Sequence, residues 1–172
     1  QREGMMMKLG GGDAKRAQMI RYAQKTRAAM KIWTEVYADR PEHLVRIAAS
    51  QHAWSDLANI ILDDADTARW VDALATAPYI WFDLNGFGSG DLDRIFAGMP
   101  KAIEHTMKFA DENRAIASKH GKRFIAYEGG QHLVTSDLAL ARALQRDPRM
   151  AEVYRRYLAE WDRRIRSTLM LY

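Results

Sequence analysis

The residues with the greatest chemical capacity in this chain lie within Arg123-Phe124-Ile125-Ala126-Tyr127-Glu128-Gly129-Gly130-Gln131-His132-Leu133. A short apolar run, suited to a buried strand, ends in a single carboxylate where two glycines break the chain. α/β barrels keep their catalytic groups at the carboxyl ends of parallel strands, and Glu128 has that placement. Paired glycines free the backbone to turn and let a ligand come close. Gln131 and His132 then add an amide and an imidazole beside the acid. The competing reading is a strand that ends in a solvated Glu before an ordinary glycine turn.

Two other strand-like runs end in similar clusters. Leu44–Ser50 is short and almost wholly apolar, as a strand buried on both faces must be, and Gln51, His52 and Trp54 follow it. Trp70–Tyr79 has the same character, with Pro78 at its exit and Trp81 just beyond. The segment from Ile80 to Gly90 is too apolar to lie free in water and is expected to pack as a lid or line a cleft. Asp63, Asp64 and Asp66 form an acidic turn without the glycine and terminal Glu of a calcium loop, so a solvated turn is the expectation and no metal is assigned.

Helices are expected between these runs. Asp13 is placed to cap one reaching about Ala38, with Ile20, Ala23, Met30, Trp33 and Tyr37 on one stripe and Asp39-Arg40-Pro41 ending it. Ser55 or Asp56 opens another through Leu62. Asp91 caps a short helix to about Met99, and Pro100 starts a longer one to about Lys119. Ser136 or Asp137 opens Leu138–Gln145, and Pro148 begins a last helix through Tyr154, Tyr157 and Trp161 to about Ile165. Thr168–Tyr172 reads as a further buried strand. Residues 1–12, with glycines at 10, 11 and 12, read as a flexible segment, and a start at Gln1 rather than Met suggests a processed or truncated chain. Helix, three strand–helix units and a strand predict a single parallel α/β domain with right-handed crossovers.

Composition narrows the function. The 172 residues suit one domain, and 48% hydrophobic with 28% charged content is ordinary for a globular protein. With no cysteine, disulfide and thiolate chemistry are excluded. No apolar run approaches the roughly 18 residues of a membrane span, so no membrane partner is expected, nor does Met5-Met6-Met7 before three glycines read as a signal peptide. The net charge of +4 is mild. Eight arginines between Arg142 and Arg166 are interleaved with Asp147, Glu152, Glu160 and Asp162, which reads as a solvated helical surface rather than a nucleic-acid site.

The order of these pieces resembles the second half of a clan A retaining glycoside hydrolase, a (β/α)₈ TIM barrel. Leu44 to Trp54, Val71 to Trp81, Phe124 to His132 and Thr168 to Tyr172 take the places of its fifth to eighth strands. Ala126-Tyr127-Glu128-Gly129-Gly130-Gln131-His132 is similar to the nucleophile segment of that family. The resemblance implies a TIM-barrel fragment of about the last four strands with their helices. It implies cleavage of a β-linked poly- or oligosaccharide through a glycosyl intermediate on Glu128, with no cofactor. Such enzymes use two carboxylates about 5–5.5 Å apart, one attacking the anomeric carbon and one protonating the leaving oxygen. Tyr79 falls where the family has a Tyr or His that hydrogen-bonds the nucleophile and favours its ionised form. Trp54 and Trp81 are placed to stack on sugar rings, and Gln51, His52, Gln131 and His132 to bind hydroxyls. Tryptophan at a strand end is otherwise a core residue.

The chain departs from that pattern in one respect. The family's acid/base Glu follows an Asn, and this sequence has no Asn-Glu pair. The chain alone is therefore expected to be inactive, or to be a non-catalytic carbohydrate-binding or structural module. Strands near Leu44 and Leu171 would be open apolar edges, prone to pairing. The expected outcome is a homodimer, or completion by another polypeptide, through those edges. Light scattering of the purified chain checks this, and a monodisperse monomer would count against it.

Overall fold

The computed structural model of the chain describes residues 2–166. In chain order the elements are α1 (Arg2–Met6), α2 (Ala14–Val36), β1 (Ile47–Ala49), α3 (Asp56–Asp63), β2 (Ala73–Thr76), β3 (Tyr79–Trp81), α4 (Leu92–Lys119), β4 (Arg123–Ala126), β5 (Gly130–His132), α5 (Leu138–Arg146) and α6 (Arg149–Arg164). The architecture is mixed α/β with short strands. Contacts divide it into two compact units, residues up to 76 with 112–125, and residues 77–111 with those from 126 on.

The first unit holds a three-stranded sheet in the order β1-β2-β4, with β1 and β2 parallel and Ala48 opposite Leu74. All of β2 is buried. Leu57, Ala58, Ile61 and Leu62 of α3 are buried as well, at the spacing of one helical face. Asp13 caps α2 as its position implies, its carboxylate accepting from Lys15 N at 2.8 Å and Arg16 N at 3.0 Å. Tyr22 of α2 reaches β1, where its hydroxyl accepts the Ala49 N–H at 3.1 Å.

Several boundaries differ from the expected ones, each for a local reason. The segment before α2 is not irregular throughout. α1 lies so close to α2 that a Cβ on Gly4 would sit 2.3 Å from the Ala17 carbonyl oxygen, and Glu3 pairs with Arg21 and Lys25. The first strand begins only at Ile47, because Pro41–His43 forms a 3₁₀ turn and Asp72 takes the Arg46 N–H at 2.8 Å. The expected strand over 70–79 opens with a 3₁₀ turn at Thr67–Trp70 and splits into β2 and β3 around Pro78, which has no N–H for a ladder. Trp33 is half exposed rather than part of a buried stripe, its ring 5.9 Å from Tyr37.

The second unit contains the parallel pair β3·β5, α5, α6 and most of α4. Here the expected break at Pro100 does not occur, and α4 runs through it as one helix. A proline inside a helix costs about 3 kcal/mol. Ile95, Met99, Ile103 and Met107 lie on both sides of it and are almost fully buried. At about 1.5–3 kcal/mol per buried side chain, that continuous face outweighs the break. α5 and α6 form where expected, Asp137 capping α5 by accepting from Ala139 N at 2.8 Å and Leu140 N at 3.1 Å. The strand expected at Thr168–Tyr172 lies outside the described residues. No helix of the described residues is long and apolar enough to cross a membrane.

Arg46 and Asp72 join the entries to β1 and β2. The guanidinium donates to both carboxylate oxygens, at 3.0 and 2.7 Å, and this pairing holds the Asp72 carboxyl below its ordinary value. A depressed carboxylate contributes stability that is present above its unfolded pKa, about 3.9, and is lost as pH falls through the folded value. Asp72→Asn is expected to cost about 1–3 kcal/mol at pH 7. The gap to wild type should narrow progressively below about pH 4. Urea midpoints of both proteins across that range check it, and a gap that widens on acidification would overturn the assignment.

Candidate functional site

The site is built on a ladder of three residue pairs. β3 and β5 pair in parallel over three positions, Tyr79 opposite Gly130, Ile80 opposite Gln131 and Trp81 opposite His132. Ile80 is buried and points its neighbours, Tyr79 and Trp81, to the other face of the strand. Glu128 lies two residues before β5, in the bend that follows β4. The Tyr79 hydroxyl donates to Glu128 Oε1. Glu128 is half-buried and engaged, so the fully solvated carboxylate of the competing reading is not what the chain forms.

The ladder also places aromatic surface beside the acid. Tyr79 and His132 have ring centroids 5.4 Å apart, inclined at 37°. Trp81, in register with His132, is 57% exposed, and Trp54 in the first unit is 45% exposed. Neither tryptophan is core. Gln131 folds back on its own chain, its side-chain oxygen accepting the Leu133 N–H at 2.8 Å. Gln131 and His132 belong to a strand that the two glycines after Glu128 had concealed.

The remaining candidates belong to the first unit. Gln51 is exposed. His52 is held by Thr76 Oγ1, 3.0 Å from its Nδ1, and its carbonyl accepts from the fully buried Asn113 at 2.9 Å. Lys15 Nζ lies 4.3 Å from the Trp54 ring centroid. The acidic turn is met by basic side chains of the protein itself. Arg27 contacts Asp64 at 3.1 Å and Asp66 at 3.2 Å, while Asp63 lies 3.2 Å from His120. Among the described residues, no group of three or more His, Asp and Glu is arranged to hold a metal ion.

Three residues that the sequence did not single out hold the ladder in place. Thr106 Oγ1 of α4 donates to the Tyr79 carbonyl at 2.9 Å. Tyr157 of α6 donates to the Pro78 carbonyl at 2.7 Å, and Tyr154 accepts the Gln131 N–H at 3.1 Å. Burial pushes the Tyr157 hydroxyl well above the ordinary tyrosine range, with a backbone hydrogen bond from Gly130 acting in the opposite sense. It therefore stays protonated, and remains a donor, at any ordinary pH. The only signal in the sequence was their position on helix faces, which reads as packing. The loop after β3 is anchored by Phe82, whose ring occupies the space beside Gly98.

Gly130 is the residue this arrangement can least exchange. Its φ of +129° is a conformation that side chains rarely adopt, and a Cβ there would stand 2.9 Å from the Tyr154 hydroxyl. Gly130→Ala is expected to cost about 1–3 kcal/mol and to lower the melting temperature by several degrees. Gly86→Ala, which also has positive φ but open space around it, serves as the comparison for backbone strain alone. Calorimetry of the two variants checks the contribution of the Tyr154 contact, which is absent if they lose the same stability.

In comparison with known proteins, no family model, no curated protein and no solved structure matches this chain.

Proposed function

We propose that Glu128 is the nucleophile of a retaining glycoside hydrolase and that this chain forms about the last four strand–helix units of its (β/α)₈ barrel. The observation that supports this reading most is the hydrogen bond from Tyr79 to Glu128 Oε1, between residues 49 positions apart in the chain. A carboxylate held from one side by a hydroxyl keeps its other oxygen directed at a substrate carbon. Exposed Trp81 beside His132 supplies an apolar face of the kind on which a sugar ring rests.

The chemistry has two steps. Glu128 attacks the anomeric carbon, the bond to the leaving oxygen breaks, and a second carboxylic acid protonates that oxygen. Water, deprotonated by the same second group, then cleaves the glycosyl ester and restores the Glu128 carboxylate. The second carboxylate comes from outside this sequence, which has no Asn-Glu pair. That same feature favours the alternative, a carbohydrate-binding or structural module without turnover.

A 2-deoxy-2-fluoroglycosyl fluoride separates the two readings. Its fluoride leaves without a proton from the enzyme, so the first step needs the nucleophile alone, and the adduct accumulates. Mass spectrometry of the full-length protein is expected to place the adduct on Glu128. Glu128→Gln should abolish labelling and lower kcat roughly a thousandfold or more while the fold is kept. Binding of sugars without any adduct would favour the module, and full-rate hydrolysis by the Gln variant would sink the nucleophile assignment.

A further inference from the structure

We infer that Tyr157 and Tyr154 of α6 are positioning residues that set the Glu128–Tyr79 pair by completing the backbone hydrogen bonding of the strands that carry it. The relevance to catalysis rests on the proposed function, but the positioning itself does not.

β3 and β5 are only three residues long, so their ends cannot be satisfied by their own ladder. Tyr157 is fully buried and ties down the start of β3. It donates to the carbonyl of Pro78, the residue before Tyr79, and Tyr79 is in register with Gly130. Tyr154, one turn earlier on α6, accepts the N–H of Gln131 and rests against Gly130, where only hydrogen fits. Glu128 is two residues before Gly130, and Tyr79 directly follows Pro78. A displacement of either strand therefore moves the acid relative to its hydroxyl donor. A misplacement of about 1 Å at a reacting group can cost on the order of a hundredfold in rate.

Tyr157→Phe removes the hydroxyl and keeps the ring. The carbonyl of the buried Pro78 then loses that partner, and the three-pair ladder that begins with Tyr79 and Gly130 is loosened. The expected result is amide exchange at Gly130 faster by about tenfold or more, with a weaker nuclear Overhauser contact between the Tyr79 and His132 rings. In the full-length protein, the rate constant for labelling Glu128 by the fluoroglycosyl fluoride should fall by about ten- to a hundredfold, with the concentration for half-maximal rate little changed. Tyr154→Phe should raise exchange at Gln131 and lower labelling in the same direction, and it replaces Tyr157→Phe if that variant does not fold. Unchanged exchange and ring contacts in the folded variants overturn the inference. So does a wild-type labelling rate in a variant whose exchange has risen, because positioning would then not reach the acid. A wild-type protein that takes no label on Glu128 refutes the proposed function instead, and the exchange and ring contacts still decide the positioning.

Discussion

A parallel strand of three residues leaves most of its peptide groups beyond the reach of its own ladder, and a buried peptide group without a partner costs about as much as a lost hydrogen bond. This molecule meets that constraint with hydroxyls projected from helices. Tyr22 accepts from Ala49 on β1, Thr106 donates to the carbonyl of Tyr79, and Tyr157 and Tyr154 serve Pro78 and Gln131. Each helix is thereby tied to its strand in both position and rotation, which apolar packing alone does not achieve. The short strands can then end where the candidate side chains begin.

Charge plays a secondary part. Arg164 pairs with Glu104, Asp111 and Glu160, and Arg149 with Asp147 and Asp93, so much of the basic sequence of the last helix is matched by acids. The exposed ones, such as Arg149 with Asp93, contribute about 0–1 kcal/mol each. They account for the composition of the surface rather than for the fold. Arg46 with Asp72 is bidentate, and it joins the starts of adjacent strands, where its loss would be felt by the sheet.

Much of this is legible in the sequence alone. Asp13 and Asp137 announced their helices because a capping carboxylate acts on backbone within three residues of itself. Of the residues read along the last helix, Tyr157 and Trp161 are buried in α6. Pro100 misled for the converse reason. Its local preference was outweighed by a burial that depends on what α4 packs against. β5 was hidden because Gly130 and Gln131 have little strand character of their own, and their pairing with Tyr79 and Ile80 spans half a hundred residues.

Residue types and local order determined which groups are available. A carboxylate follows a strand, glycines follow the carboxylate, and a tyrosine and a tryptophan flank another strand end. Which of these groups meet was decided only by the tertiary structure, which joined Tyr79 to Glu128 and gave the hydroxyls of Tyr154 and Tyr157 their backbone partners. The physical reason is range. Caps, turns and helix faces are governed by interactions over a few residues, whereas a hydrogen bond between distant segments exists only once the chain has folded around it.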